Sequence, residues 1–441
     1  MKAVLSQWIL GYLKFWAKLR LRQNNPVIIG ITGSAGKTSA LLACQAVLAS
    51  NTALKVSHKA NSESGIPLNV LNLKPRNFSI LDWMRLCLLA PFAALFGDEV
   101  YETYLVELGI DSPDSPKNMS YLLTIVQPQV GIYLGASAVH AENFDHLVSA
   151  SAENRLEKII AKIAAEKGKL ISSLPKSGTA IINLDDPHAT ELMEKSRAEI
   201  ITFGTNPDST IRLIKTNWTK KSTIFAFEID KKRYQLQLHN YLVPDVFGLT
   251  LAAAIACGIS QDLSVTESIT ALETKLTLPP GRSSVLAGIN DSLILDSSYN
   301  ASTKPTLSML EMLKNIPAQR HLSLLGDMRE MGALTAQEHQ TVALKAAQVC
   351  DKIYLVGPLM REFALPILEQ KKCPVAWFPT TQAAGKALQT ELENDDLLLV
   401  KGSQNTILLE TAVESLLANP EDAAKLCRRG TFWDAQRAKL E

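Results

Sequence analysis

The sequence predicts an α/β chain: a central domain with a mostly parallel sheet, then a doubly wound α/β domain. Three observations carry that expectation. The apolar run Val27–Ile31 ends in a turn of small residues, then Lys37-Thr38 and a helical pattern to Ala49. Beyond residue 292 short apolar strands alternate with helical patterns to residue 417, the order of a parallel sheet. The 441 residues, 46% hydrophobic, hold material for two or three buried cores.

The first of these is the most informative. Gly33-Ser34-Ala35-Gly36-Lys37-Thr38-Ser39 follows a strand and opens a helix. In that context glycines let backbone N–H groups crowd around phosphate oxygens, and the helix N-terminus adds positive potential. Lys37 is placed to reach terminal phosphates and the Thr38 hydroxyl to ligate Mg²⁺. The spacing is the short G-x-x-G-K-T form, because Ile31 occupies the position of the earlier glycine in the longer motif. The bland alternative is a strand-to-helix turn that happens to carry Lys-Thr.

A net charge of +1 gives no electrostatic case for nucleic acid. Six scattered cysteines without a C-x-x-C pair suit reduced thiols and a cytoplasmic setting. Residues 3–21 read as a helix in which Trp8, Tyr12, Phe15 and Trp16 alternate with Lys14, Lys18 and Arg20. It is too short and too charged for a membrane span. Two readings stay open: a helix packed on the core or on a partner, and an interfacial helix with a basic side. Residues 78–97 form a second apolar stretch, read either as a buried helical hairpin or as a surface element working with the first.

Further along, Tyr104–Glu107 is a strand ending on a carboxylate, and Ser120–Gln127 and Val130–Leu134 continue the strand pattern. Gly135–His140 follows a strand end. Ligands of open α/β sheets sit at such ends, which places Glu107 and His140 where chemistry occurs. Residues 152–170 are helical and carry Lys167. A strand and acidic loop follow at 178–186, short strands over 198–240, and an alanine-rich helix from Leu249 to Cys257. Leu278-Pro279-Pro280-Gly281-Arg282 is a breaker cluster and the main expected boundary. After it come strands at 292–295, 321–325, 352–356, 374–378 and 396–400, with helices at 304–314, 335–350, 358–370, 381–391 and 404–417. The expected organisation is an N-terminal amphipathic helix (1–25), an ATP-binding central domain (26–282) and a C-terminal domain (283–441).

Taken together, the motifs resemble the Mur ligases, most closely the MurF type. The resemblance runs over roughly residues 27–415 through the loop; Asn61–Leu68; Glu107-Leu108-Gly109; His140 with Phe144; Lys167-Gly168; Gly178–Asp186; Gly281-Arg282; Asp296 with Tyr299-Asn300-Ala301; Gly326-Asp327-Met328 with Gly332 and His339; and Lys401-Gly402-Ser403. It implies a Rossmann-like fold for the C-terminal domain. It also implies an ATP-dependent ligase of peptidoglycan precursor synthesis. A carboxylate is activated as an acyl phosphate and joined to an amine such as D-alanyl-D-alanine, with release of ADP and phosphate. By the same resemblance Gly33, Ser34, Ala35, Gly36, Lys37, Thr38 and Ser39, with Arg282, Asp296, Tyr299 and Asn300, bind the nucleotide. Thr38, Glu107, His140 and Lys167 hold Mg²⁺, two ions in all, with Lys167 carbamylated by CO₂. Lys37, His140 and Lys167 are the catalytic set, and Asp327, Lys401 and Ser403 lie near the substrate.

The chain departs from the family pattern in places. The loop begins near residue 30, where the family carries a uridine-nucleotide domain first, and the basic aromatic helix stands there instead. The family's glutamate two residues after the lysine is Lys169, and its adenine-side asparagine corresponds to Leu249. The partners implied are a nucleotide- or lipid-linked peptide and an amino acid or dipeptide, with 3–22 and 78–97 as candidate sites of peripheral contact at the inner membrane face. Two competing readings are a Mur-like ligase of another substrate, polyglutamate or cyanophycin in type, and a P-loop ATPase or nucleotide-binding module without ligase activity.

Overall fold

The computed structural model describes residues 2–139, 141–329, 331–403 and 407–437. The chain folds into two compact units: residues 1–214, 226–234 and 248–276, and residues 215–225, 235–247 and 277–441.

The first unit opens with helix α1 (Lys2–Asn24), strand β1 (Val27–Thr32) and helix α2 (Lys37–Leu48). Then come β2 (Leu54–Val56), α3 (Gly65–Val70), α4 (Ile80–Phe96), β3 (Thr103–Glu107), α5 (Met119–Leu123) and β4 (Val130–Tyr133). α6 (Arg155–Ser172), β5 (Thr179–Asn183), α7 (Ala189–Lys195) and β6 (Glu199–Gly204) follow. β7 (Ile211–Trp218), β8 (Ser222–Ile229) and β9 (Lys232–His239) each have residues in both units, and α8 (Phe247–Ile259) and α9 (Val265–Lys275) follow. The strand order is β2-β3-β1-β4-β5-β6-β7-β8-β9, and the pairs from β2 to β7 are parallel. Strands β1, β3 and β4 are buried along almost their whole length, as parallel strands covered on both faces must be. β1 lies between β3 and β4, with Ile31 beside Glu107 and Thr32 beside Tyr133. The chain therefore leaves β1 at the point where successive strands add to opposite sides, which is where open α/β sheets bind ligands.

In the second unit β10 (Ser284–Ala287) pairs antiparallel with β11 (Leu293–Asp296). β12 (Arg320–Gly326), β13 (Lys352–Val356), β14 (Val375–Phe378) and β15 (Asp396–Lys401) complete a sheet of order β10-β11-β15-β12-β13-β14, parallel from β11 onward. Helices α10 (Thr303–Leu313), α11 (Thr335–Val349), α12 (Leu365–Gln370), α13 (Thr381–Glu391) and α14 (Glu410–Leu416) cover it, and α15 (Thr431–Arg437) ends the described chain. Alternate residues of β15 enter two separate buried clusters. Leu397 and Leu399 join one, and Leu398 and Val400 join the other. Both faces of the sheet are thus covered, which is the doubly wound arrangement.

Three expectations change. The apolar run 120–127 does not form a strand: Asn118 caps a helix there, its side chain accepting from Tyr121 N–H, and α5 results. The 78–97 stretch is not a hairpin but one helix, continuous through Pro91. The helix expected at 404–417 begins only at Glu410, because Leu408 adopts φ 49°, which helical backbone does not allow; residues 404–406 lie outside the described residues. The N-terminal helix packs one face on the core and leaves the other exposed. Leu10, Leu13, Ala17 and Leu21 are buried, while Trp8, Tyr12 and Phe15 face out.

Candidate active site

The site of the first unit is built where β1, β3 and β4 end. Gly36 caps α2 at φ 80°, ψ −8°, a left-handed conformation that favours glycine, and this turns the loop so that α2 starts at Lys37. The loop is tied to the neighbouring strand end. Ser34 N–H donates to Gly135 O at 2.9 Å, and Ser34 Oγ accepts from Ser137 N–H at 2.9 Å. Asp186 holds the other side of that strand-end loop, accepting from Ala136 N–H at 2.7 Å.

Thr38 Oγ1 donates to Glu107 Oε2 at 3.0 Å. The other carboxylate oxygen accepts from Asn61 Nδ2 at 3.0 Å, and Glu107 N–H donates to Ser57 Oγ at 2.9 Å. The Glu107 carboxylate is thus buried, and among the described residues its hydrogen-bond donors, Thr38 and Asn61, are neutral. A hydroxyl and a carboxylate oxygen in contact are the hard oxygen pair that Mg²⁺ takes from a protein, most of its other ligands being water and phosphate. Among the described residues no cluster of three or more His, Cys, Asp and Glu assembles.

Lys37 Nζ donates to Gly33 O at 2.9 Å. Burial lowers its pKa, against the attraction of Glu107 and Asp111. Lys167, on α6, is buried, and burial with the nearby charge of Lys37 brings it down to about 7; Asp111 and Glu166 oppose the shift. Lys169 turns to Glu166 at 2.5 Å and to Ser120 Oγ at 3.1 Å. Glu166 in turn accepts from Met119 N–H at 3.0 Å, which fixes α5 against α6. His140 lies outside the described residues.

The second unit gathers its polar residues at the carboxyl ends of β11, β15 and β12. Asp296, opposite Val400, is fully buried; Ser298 N–H donates to its Oδ1 at 3.0 Å, and its Oδ2 has no hydrogen-bond partner among the described residues. Burial raises its pKa, against the Ser298 hydrogen bond. Lys401 donates to Asn300 O at 3.0 Å and Ser297 Oγ at 3.3 Å, and burial, with Arg282, lowers it to about 8. The Arg282 guanidinium lies 4.8 Å from the centre of the Tyr299 ring. Tyr299 N–H donates to Gly281 O at 3.1 Å.

Arg428 locks this loop from behind. It makes a two-point ion pair with Glu410, at 2.7 and 2.6 Å, and donates to Tyr299 O and Ser298 O, both at 2.8 Å. Both side chains are buried.

Asp327 sits on the other side of β15. Its carboxylate accepts from Met360 N–H at 2.8 Å, and burial raises its pKa against that bond. Its carbonyl accepts from Ser403 N–H at 3.1 Å, and Ser403 Oγ accepts from Arg329 N–H at 3.0 Å. Gly357 faces it at φ 107°, where a Cβ would stand 2.5 Å from Asp327 Oδ1. His339 accepts from Met328 N–H at 3.0 Å. A cavity of about 320 Å³ opens here, lined by Asp327, Arg329, Thr380 and Gln382 among others.

The structure thus brings Thr38 to Glu107 in the first unit. In the second it sets Asp296, Asn300 and Lys401 together, and Asp327 with Ser403. Sequence reasoning missed four residues that shape the site. Asn61 fell within a motif that carried no role, and Ser57 within none. Glu410 and Arg428 left no signal, since they sit in a helix and a tail with no local pattern.

The family model described as Mur ligase middle domain matches residues 31–257, and that described as Mur ligase, glutamate ligase domain matches residues 281–404. The chain belongs to the Mur ligase family. It is 25% identical over 353 residues to the UDP-N-acetylmuramoyl-tripeptide–D-alanyl-D-alanine ligase of Escherichia coli (strain K12), covering 79% of this chain and 67% of that one. The enzyme of the same name from Synechocystis is 25% identical over 421 residues, covering 95% and 80%. Among solved structures the MurF ligase of Thermotoga maritima in complex with ADP superposes with a TM-score of 0.68 at 21% identity, over 94% of this chain and 84% of that one. The α/β architecture expected from the sequence, with its P-loop and Rossmann-like parts, is that of the family, as is the ligase class.

Proposed function

We propose that this Mur ligase is of the MurF type: it activates a precursor carboxylate with ATP and Mg²⁺ and joins it to an amine such as D-alanyl-D-alanine. The observation that carries the reading is the Thr38–Glu107 contact at the mouth of the phosphate loop. Thr38 and Glu107 would hold one Mg²⁺, which supplies positive charge against the phosphate oxygens. Backbone N–H groups of the loop, with Lys37, would cradle the terminal phosphates and stabilise charge that grows as the carboxylate attacks. Lys37 leaves Gly33 O to do so. Arg282, Asp296, Tyr299 and Asn300 are the nucleotide set of the second unit, and the unpartnered Asp296 Oδ2 is an acceptor available to a hydroxyl. Asp327, Lys401 and Ser403 are assigned to the amine substrate. Lys401 at about 8 is partly neutral near neutral pH.

Lys167 is assigned as a carbamate. CO₂ reacts only with a neutral amine, and a lysine near 7 is about half neutral at neutral pH, whereas an unperturbed one is almost wholly charged. The carbamate would offer oxygen ligands to a second Mg²⁺, together with His140. Peripheral contact with the inner membrane face through residues 3–22 and 78–97 belongs to the same reading.

The decisive measurement is ADP formation against a panel of muramoyl peptides and amines. ADP release is expected only when a carboxylate and an amine are both present. Release with ATP alone at the same rate would favour an ATPase, and release with glutamate-type substrates alone a different ligase. Lys167→Ala is expected to be inactive and partly restored by formate or acetate; full activity of that variant would reduce Lys167 to a structural lysine.

A further inference from the structure

Half of the large apolar residues left exposed among the described residues lie on α1 and α4. On α1 they are Trp8, Tyr12 and Phe15, spaced four and three residues apart and so on one face. On α4 they include Leu81, Met84, Leu88 and Phe92, again one stripe, which Leu95 continues. The opposite faces are committed: Leu13, Ala17 and Leu21 of α1 and Leu86, Ala90 and Ala94 of α4 share one buried cluster. Neither helix can therefore roll over to hide its outer stripe. The outer stripe of α4 carries no hydrogen-bonding side chain. Exposed apolar stripes of this kind mark an interaction surface.

Charge says what the surface meets. Residues 1–97 hold eleven Lys and Arg against two acidic residues, Glu63 and Asp82, although the whole chain carries only +1. Asp82 is spent internally: it accepts from the backbone N–H groups of Arg76, Asn77 and Phe78 and pairs with Arg85 at 2.7 Å. Lys74 and Arg76 stay exposed just before α4, beside exposed Phe78. Acidic residues collect at the other end. Glu99 follows α4, is tied to Lys55, and its carbonyl accepts from Arg20 at 2.6 Å, so the carboxyl ends of the two helices adjoin.

We propose that the outer faces of α1 and α4 together form a docking platform for an anionic phospholipid bilayer, with the Lys74–Ile80 segment leading. This rests on the peripheral contact proposed above and is independent of the ligase chemistry. Apolar side chains enter the acyl boundary and the basic residues meet the headgroups, the arrangement of an interfacial helix. No helix among the described residues is long and apolar enough to cross a membrane, so the helices lie in the interface. A substrate carboxylate anchored to lipid would then reach the ligase by diffusion in two dimensions.

The test is co-sedimentation of the full chain with vesicles of phosphatidylcholine, with and without phosphatidylglycerol. Binding is expected with phosphatidylglycerol and at least about tenfold weaker without it or at high salt, since each basic residue near the surface contributes about fivefold. Leu88→Glu/Phe92→Glu, both at exposed positions, is expected to abolish binding, and Lys74→Glu/Arg76→Glu to weaken it about tenfold or more. ATP affinity, read in the same variants, is expected to stay at the parental value and shows that they fold. No binding to either vesicle overturns the proposal. Equal binding to both, indifferent to charge reversal, overturns its electrostatic part. A dimer that Leu88→Glu/Phe92→Glu dissociates, without vesicle binding, assigns the face to a second copy instead. Absence of ADP formation would sink the ligase reading and leave the vesicle result standing.

Discussion

The two units solve the placing of charge in opposite ways. In the first, the Glu107 side chain is held by a threonine and an asparagine, its backbone by a serine, and Lys37 by a carbonyl; among the described residues neither of these two charges meets an opposite charge at hydrogen-bond distance. In the second, Arg428 and Glu410 neutralise each other inside the protein and pin the Ser298–Tyr299 carbonyls. Neutral partners leave full charge on offer to a ligand. A buried ion pair offers none and serves as framework. On the proposed reading, activity and stability are expected to be separable in the first unit and coupled through one guanidinium in the second.

The largest expected effect is on that guanidinium. Arg428→Met leaves Glu410 buried without its partner and frees two carbonyls, and should cost about 3–5 kcal/mol in denaturant unfolding. The double variant Arg428→Met/Glu410→Leu should recover much of that while the KM for ATP stays raised, because the 298–300 loop is no longer held. Recovery of both would break the comparison.

Lys37→Ala probes the opposite case. It should lower turnover by about 10²–10³ and leave the unfolding midpoint nearly unchanged, since removing a desolvated ammonium also removes its burial penalty. A variant within about tenfold of wild type would take the loop out of catalysis.

Much of this was legible from residues 30–38 and from the strand–helix alternation after residue 292. Strand-end residues follow from topology once the sheet is parallel, so Glu107 could be placed from pattern alone, whereas Asp296 came from the family resemblance. What pattern could not supply was who holds them. Asn61 reaches Glu107 across 46 residues and Arg428 reaches Ser298 across 130, and neither leaves a periodicity. The 120–127 stretch shows a related limit: its apolar run suits a strand until Asn118 offers a cap, and local capping then decides.

A pH series sharpens the contrast further. Lys167 titrates near 7 in the folded chain and near 10.5 when unfolded. Between those values the unfolded chain binds more protons, so this residue's penalty on stability is present below pH 7 and relieved as pH rises toward 10.5. Carbamate formation, followed by the ¹³C signal from labelled bicarbonate, should rise over the same lower edge. A signal independent of pH between about 6 and 8 would contradict the shifted lysine.

The smallest expected effect is a control within the first unit. Ser264 and Glu267 form a reciprocal cap on α9. Ser264→Ala should cost about 1 kcal/mol of stability with no change in turnover under conditions where the chain stays folded. A parallel loss of turnover would mean that the first unit, too, couples the two.

The Lys37–Gly33 hydrogen bond has a kinetic corollary. A cationic side chain folded back onto its own loop acts as a placeholder: it keeps the hollow propped open in the shape an anion requires. An arriving phosphate then trades places with one carbonyl and need not organise a slack segment. Capture should accordingly resemble an exchange of partners, with a fast and weakly temperature-dependent on-rate, and nucleotides shorn of the outer phosphates would leave the lysine where it already rests.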